Sequence, residues 1–141
     1  MFSVMIVGCG KIAGINKNSH ARAILANKNL NLKVCVDNDK EKADYFSKKF
    51  NCISYTNLQK ALTNEKFNII FADPPYEHRE FPRIADLIFE SKTIEKGGLL
   101  IYEHYKDYVL PDQYIDFKKV RDKKYGDSRL SIYKLIGEPN E

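Results

Sequence analysis

The chain has 141 residues, 43% hydrophobic and 30% charged, with a formal net charge of +4. That length suits a single domain over 1–141 with one substantial core, and the composition excludes a disordered chain. No apolar run approaches the roughly 20 residues that cross a bilayer, no secretory leader pattern opens the chain, and Cys9, Cys35 and Cys52 lack metal-ligand spacing. A reduced, cytoplasmic protein with no metal and no membrane partner is therefore the expectation.

In chain order, short apolar runs alternate with segments of helical period, the pattern of a parallel α/β sheet. Val4 to Val7 reads as a strand ending in a glycine turn, and a helix opens near Ser19 with Ala21, Ile24 and Leu25 on one face. Leu32 to Val36 is a second strand ending at Asp37. Asp39 then caps a helix whose Ala43, Phe46 and Phe50 share a face. Ile53 to Tyr55 is a short strand, followed by a helix from Asn57 with Leu58, Ala61 and Leu62. Asn68 to Ala72 is the fourth strand. The next helix carries Ile84, Leu87 and Ile88 and stops before Gly97-Gly98. Leu99 to Glu103 is the fifth strand. Tyr114 to Val120 and Arg129 to Ile136, joined by Lys123 to Ser128, form an antiparallel hairpin.

The fourth strand runs directly into Asp73-Pro74-Pro75-Tyr76. The prolines fix φ and remove two N–H donors, so the turn is rigid and the Asp73 and Pro74 carbonyls are left to other partners. Asp73 can accept a hydrogen bond from an exocyclic amino group and the Tyr76 ring can stack on a planar base. The structural alternative is a Pro-rich turn with Asp73 as a helix cap. At the first strand, Gly8-Cys9-Gly10-Lys11-Ile12-Ala13 gives a G-x-G-x-x-A pattern, with Asp37 ending the second strand. Glycines admit a ligand to the backbone, the helix start offers free N–H groups, and the acid accepts from ribose hydroxyls. A tight turn without ligand, and a plain helix-entry acid, are the alternatives. Lys118, Lys119, Arg121, Lys123, Lys124, Arg129 and Lys134 crowd the last quarter. They suit phosphate contacts and a lysine-protected sheet edge equally well.

Residues 1 to about 66 resemble the NAD(P)-binding half of the glucose–fructose oxidoreductase / inositol dehydrogenase family. The resemblance rests on Gly8, Gly10 and Ala13, then Ser19-His20-Ala21, Cys35-Val36-Asp37-Asn38-Asp39, Lys42-Ala43, Phe46 and Tyr55-Thr56-Asn57-Leu58. It implies an NAD(P) site at Gly8, Gly10, Ala13 and Asp37. Residues from about 67 to 136 resemble the 16S rRNA guanine-N2 methyltransferases. Here the match runs through Phe67 to Tyr76, Gly97 to Ile101, Glu103-His104 and Lys124 to Asp127. Asp-Pro-Pro-Tyr is the signature of S-adenosylmethionine-dependent amino-methyltransferases.

That resemblance implies S-adenosylmethionine as cofactor, with Asp73 and Pro74 orienting a guanine amine, Pro75 stiffening the turn and Tyr76 stacking on the base. The family's N-terminal RNA-binding segment has no counterpart in these residues, so RNA is expected as a weakly held partner. The terminal hairpin favours a class I methyltransferase-type three-layer α/β sheet over a dinucleotide-binding one, which continues with a helix and a parallel sixth strand. The chain reads as a mosaic of two halves, 1–66 and 67–141, joined near Glu65 to Ile70. The alternative function is a non-catalytic chimeric Rossmann scaffold, natural or engineered, that binds NAD(P). His20 is expected to be structural or solvent-facing, Glu103 and His104 to end their strand near the rim of Asp73 as surface residues, with shaping of the base pocket as the alternative, and His78 to stand at the pocket entrance.

Overall fold

A computed structural model describes residues 1–9, 20–73 and 81–137. The elements are β1 (Phe2–Val7), α1 (His20–Ala26), β2 (Leu30–Val36), α2 (Lys40–Phe50), β3 (Ile53–Tyr55) and α3 (Leu58–Asn64). They continue with β4 (Phe67–Ala72), α4 (Phe81–Glu90), β5 (Ile94–Tyr105), β6 (Gln113–Tyr114), β7 (Phe117–Tyr125) and β8 (Ser128–Leu135). The described strands form one eight-stranded sheet in the order β3-β2-β1-β4-β5-β8-β7-β6. β1 to β5 run parallel, and β8 lies antiparallel between β5 and β7. The strand order reverses between β1 and β4, the place where open α/β sheets admit ligands at the carboxyl rim.

Alternation along the strands sorts the core into two layers. Met5, Val7, Ile70, Ala72, Leu100 and Tyr102 meet Ala61 and Leu62 of α3 and Ala85, Ile88 and Phe89 of α4. Val4, Ile6, Leu32 and Cys35 meet Ala21 and Ile24 of α1 and Phe46 and Phe50 of α2. Phe46 sits against the sheet almost wholly buried, and its truncation to Ala would cost about 3–5 kcal/mol. Asp39 caps α2 by accepting from the Glu41 and Lys42 amides, and Asn51 closes that helix in the left-handed region with its N–H on the Ser47 carbonyl. Asn57 caps α3 through the Lys60 amide. No described helix is long and apolar enough to cross a membrane.

Four expectations change. Leu25 is 52% exposed, because seven residues of α1 present only a narrow inner face through Ala21 and Ile24. Gly97-Gly98 does not stop a helix. α4 ends at Glu90, Lys92 turns in the left-handed region, and the glycines lie inside β5. There the register against β4 jumps from Phe67↔Ile94 to Ile69↔Leu99. Gly97 takes φ +79°, and a Cβ on Gly98 would fall 2.6 Å from the Asn68 carbonyl oxygen. The pair therefore serves a bulge.

The segment Tyr114 to Val120 is broken at Ile115 (φ +51°), which turns β6 back onto β7. The expected Lys123 to Ser128 connection contracts to Gly126-Asp127 with Gly126 at φ +55°, as a two-residue hairpin turn requires.

Candidate active site

β1 and β4 end side by side, and the Asp73 amide donates to the Val7 carbonyl at 2.9 Å, seating Asp73 at the carboxyl rim. Strand parity then decides its company. Ile69, Phe71 and Asp73 project toward the α1 side, and the pairing Phe71↔Ile101 puts Ile101 and Glu103 of β5 on the same side. α1 brings His20 over this edge. Its ring packs on Phe71 with centroids 4.1 Å apart, and its Nε2 lies 3.5 Å from Glu103 Oε1.

Charge-bearing atoms of His20, Asp73 and Glu103 all fall within 4.8 Å of one another. Burial, then the Glu103 charge, push the Asp73 carboxyl from 3.8 up to about 7, against a smaller opposing effect of His20. His20 Nε2 is buried and has no hydrogen-bond partner among the described residues.

Asp37 ends β2 in different surroundings. Its Oδ2 accepts from the Cys9 amide and its Oδ1 from the Asp39 amide, both at 2.9 Å. The Gly8 amide donates to the Val36 carbonyl, and Gly8 has φ +100°, a conformation that glycine adopts without strain. These groups line a crevice of about 400 Å³ with Asn38, Thr56, Asn57 and Arg83, within the roughly 300–1,000 Å³ typical of small-molecule sites. A larger groove of about 640 Å³ lies between α3 and α4, around Glu65, Lys66 and Thr93. It opens at the amino ends of β4 and β5, away from both aspartates and from the rim where parallel sheets bind ligands.

Of the residues singled out in the sequence, Gly8, Asp37 and Asp73 stand at this rim. Gly10, Ala13, Pro74, Pro75, Tyr76 and His78 lie outside the described residues. Glu103 and His104 are buried, contrary to expectation, because β8 covers the end of β5. They also face opposite sides of the sheet. His104 Nε2 is 2.8 Å from the Ser131 hydroxyl and Nδ1 is 3.1 Å from the Tyr105 carbonyl. Burial pushes its pKa down. This fits a neutral ring that donates from Nδ1 and accepts at Nε2.

The sequence reading left His20 out of the site. Its available signal was the parity shared by Phe71, Asp73 and Glu103, and nothing local tied residue 20 to that row. Cys9 and Cys35 pack as the small hydrophobes expected of them. Cys9 and Cys35 are buried and Cys52 is half-buried, with contact to Cys35 and then burial pushing its thiol far up.

The hairpin carries unlike charge on its two faces. Lys118, Arg121, Lys123 and Lys134 share the side on which Glu103 projects, through Leu130↔Glu103, Lys123↔Leu130 and Lys118↔Lys134. None of the four has an ion pair among the described residues. On the other side Arg129 holds Asp122 at 2.6 Å and Lys119 holds it at 3.2 Å. The Arg129 hydrogen bond leads in drawing the Asp122 carboxyl down to about 2, with the Lys119 contact adding to it.

A sheet of parallel strands closed by a C-terminal antiparallel hairpin, with its acids at the carboxyl rim, defines a class I methyltransferase-type Rossmann-like fold. The chain belongs to the family described as conserved hypothetical protein 95, which matches residues 8–134 and so runs across the place near Glu65 to Ile70 where a join was expected. It is 34% identical over 71 residues to the protein named "Putative rRNA methyltransferase YlbH" of Bacillus subtilis (strain 168). That match spans 50% of this chain and 39% of the relative.

Its fold is similar to that of the solved structure titled "Putative methyltransferase yhhF from Escherichia coli". The TM-score is 0.72 at 16% identity, over 97% of this chain and 77% of that one. A partial likeness joins it to GenD2 from gentamicin A biosynthesis, solved in complex with NAD. There the TM-score is 0.55 at 22% identity, over 64% of this chain and 24% of that one.

Proposed function

We propose that this chain transfers a methyl group from S-adenosylmethionine to the exocyclic amine of a nucleic-acid base, rRNA guanine N2 by resemblance. The observation that carries the reading is Asp73: a half-buried carboxyl at the end of β4, opposed by a second, buried carboxyl, opening the Asp-Pro-Pro-Tyr run. Burying a carboxylate beside another is costly, and folds keep such arrangements where chemistry uses them. The name of the Bacillus subtilis relative supports the same reaction class.

The crevice beside Gly8 and Asp37 fits the cofactor. Each Asp37 oxygen accepts one amide and retains a lone pair for a ribose hydroxyl, and the Gly8 backbone leaves the strand end open. Gly10 and Ala13 continue that turn in the sequence. When bound, the cofactor supplies an electrophilic methyl group. The protein's share is orientation. Ionised Asp73 accepts an N–H of the amine, the Pro74 carbonyl accepts a second, Pro75 keeps the turn rigid and Tyr76 stacks on the base. Transfer then depends on proximity and alignment. The cations on the site-facing side of the hairpin, without an ion pair among the described residues, suit an RNA backbone.

A second reading keeps the same crevice and assigns it NAD(P) in a non-catalytic Rossmann scaffold. The partial fold likeness to GenD2 favours it. Calorimetric titration with S-adenosylhomocysteine and, separately, NAD decides between them. Binding of S-adenosylhomocysteine that is weakened in Asp37→Ala is expected. Binding of NAD alone would overturn the methyltransferase reading.

A further inference from the structure

The His20–Asp73–Glu103 group is assembled from three elements far apart in sequence: the first residue of α1, the residue after β4 and the carboxyl end of β5. Two carboxylates and a ring nitrogen within 4.8 Å are three acceptors facing one another. Such a group holds together when a proton is shared among them. We infer that His20 is a positioning residue that receives, by way of Asp73, the proton an amine sheds on methylation, with Glu103 orienting the imidazole. The inference rests on the methyltransferase reading.

The geometry of His20 supports it. Nε2 is buried and unpartnered among the described residues, it is 3.5 Å from Glu103 Oε1, and the Phe71 ring sets the plane of the imidazole. The side chain is still 25% exposed, which gives the proton a way out to water.

An amine loses one proton for each methyl group it gains. In the first transfer an N–H bond of the methylated amine breaks and an O–H bond forms on Asp73. In the second that O–H bond breaks and an N–H bond forms at His20 Nε2, with the Glu103 carboxylate placed to accept from the resulting imidazolium. Asp73 returns as a carboxylate, ready to accept from the next amine.

Among the described residues, the charged groups that face Asp73 are His20 from α1 and Glu103 from β5, while β1 offers the uncharged Val7. Leu130 of β8 stands opposite Glu103, and Lys123 of β7 lies one strand further out. Asp37 is held on the Cys9 and Asp39 amides.

The test uses the cofactor-free chain and needs no turnover. Nuclear magnetic resonance follows the Asp73 carboxyl carbon and the His20 ring nitrogens against pH. Both probes are expected to report one shared step. The Asp73 midpoint should fall by about one pH unit in Glu103→Gln, which removes a like charge, and rise in His20→Gln, which removes a cation. Misfolding would not move the midpoint in opposite directions, and His20→Asn repeats the second arm with a smaller side chain. In the pH profile of methyl transfer the midpoint should shift the same way, and His20→Gln should lose at least about tenfold in rate.

An Asp73 midpoint that moves in neither variant overturns the inference. So does saturable Mn²⁺ binding that His20→Gln abolishes, which would make the group a cation site. A chain that methylates RNA but shows separate titrations loses the relay alone. A chain with the shared titration and no methyl transfer loses the methyltransferase reading, and with it the source of the proton.

Discussion

Asp37 and Asp73 each follow a parallel strand at the same rim, and the fold treats them in opposite ways. Asp37 is given two backbone amides, one for each oxygen, and stitches the turn after β1 to the entry of α2. Asp73 is half-buried beside Glu103, and its carboxyl is driven up to about 7. The first arrangement stabilises the fold whether or not a ligand arrives. The second lowers stability whenever the carboxyl ionises, so its justification lies in what an ionised Asp73 does at an open rim.

Asp73 binds its proton more tightly folded than unfolded, so stability falls as pH rises from about 4 to about 7 and is flat above. Moving a carboxyl from 3.8 to about 7 corresponds to at most about 4 kcal/mol. Asp73→Asn should therefore separate function from stability most sharply. Methyl transfer should drop by about a thousandfold, since the Asn oxygen can still accept from the amine but cannot take its proton. In urea denaturation the variant should gain on the wild type as pH rises through that window. A variant that is less stable at high pH would show that Asp73 is satisfied, as Asp37 is.

Next in size is the hairpin. Replacing Lys118, Arg121, Lys123 and Lys134 together by Gln should weaken RNA binding by about a hundredfold at low salt. It should also flatten the salt dependence by roughly three in log–log slope, and leave S-adenosylhomocysteine affinity unchanged. Lys119→Gln, which breaks a pair with Asp122, is the control and should change the slope by far less. Asp37→Ala leaves the Cys9 and Asp39 amides without their acceptor. It should cost about 1–3 kcal/mol of stability in urea denaturation and about tenfold in cofactor affinity by calorimetry.

The smallest effect sharpens the comparison from the other side. Glu103→Gln removes the like charge, so the stability gained from Asp73→Asn should shrink by about 1 kcal/mol in that background. A double-mutant cycle measures this.

Much of this contrast was legible in the sequence where the signal is local. Asp39 was readable as a cap because capping depends on the next three residues, whereas Asn57 was read as the start of the helix it caps. The ends of β1 and β2 at Val7 and Val36 follow from apolar runs closed by Gly8 and Asp37. The parity that places Asp73 on the side of Phe71 is fixed within one strand. The pairing of Asp37 with the Cys9 amide was not legible, and neither was the approach of His20 to Glu103. Those contacts depend on how β1, β4 and β5 line up in register, which no short window encodes. Gly97-Gly98 misled for a related reason. A glycine pair ends a helix as readily as it makes a bulge, and only the backbone of Asn68 across the sheet distinguishes the two.

The most direct test of the account is labelled methyl transfer from S-adenosylmethionine to an unpaired guanine-containing RNA at about pH 8, where Asp73 is ionised. Wild type and Asp73→Ala, which removes the acceptor, would be compared after both are shown to be folded. The account predicts base-amine methylation by the wild type and none above background by the variant. Equal transfer by the two, or none by either, would contradict it.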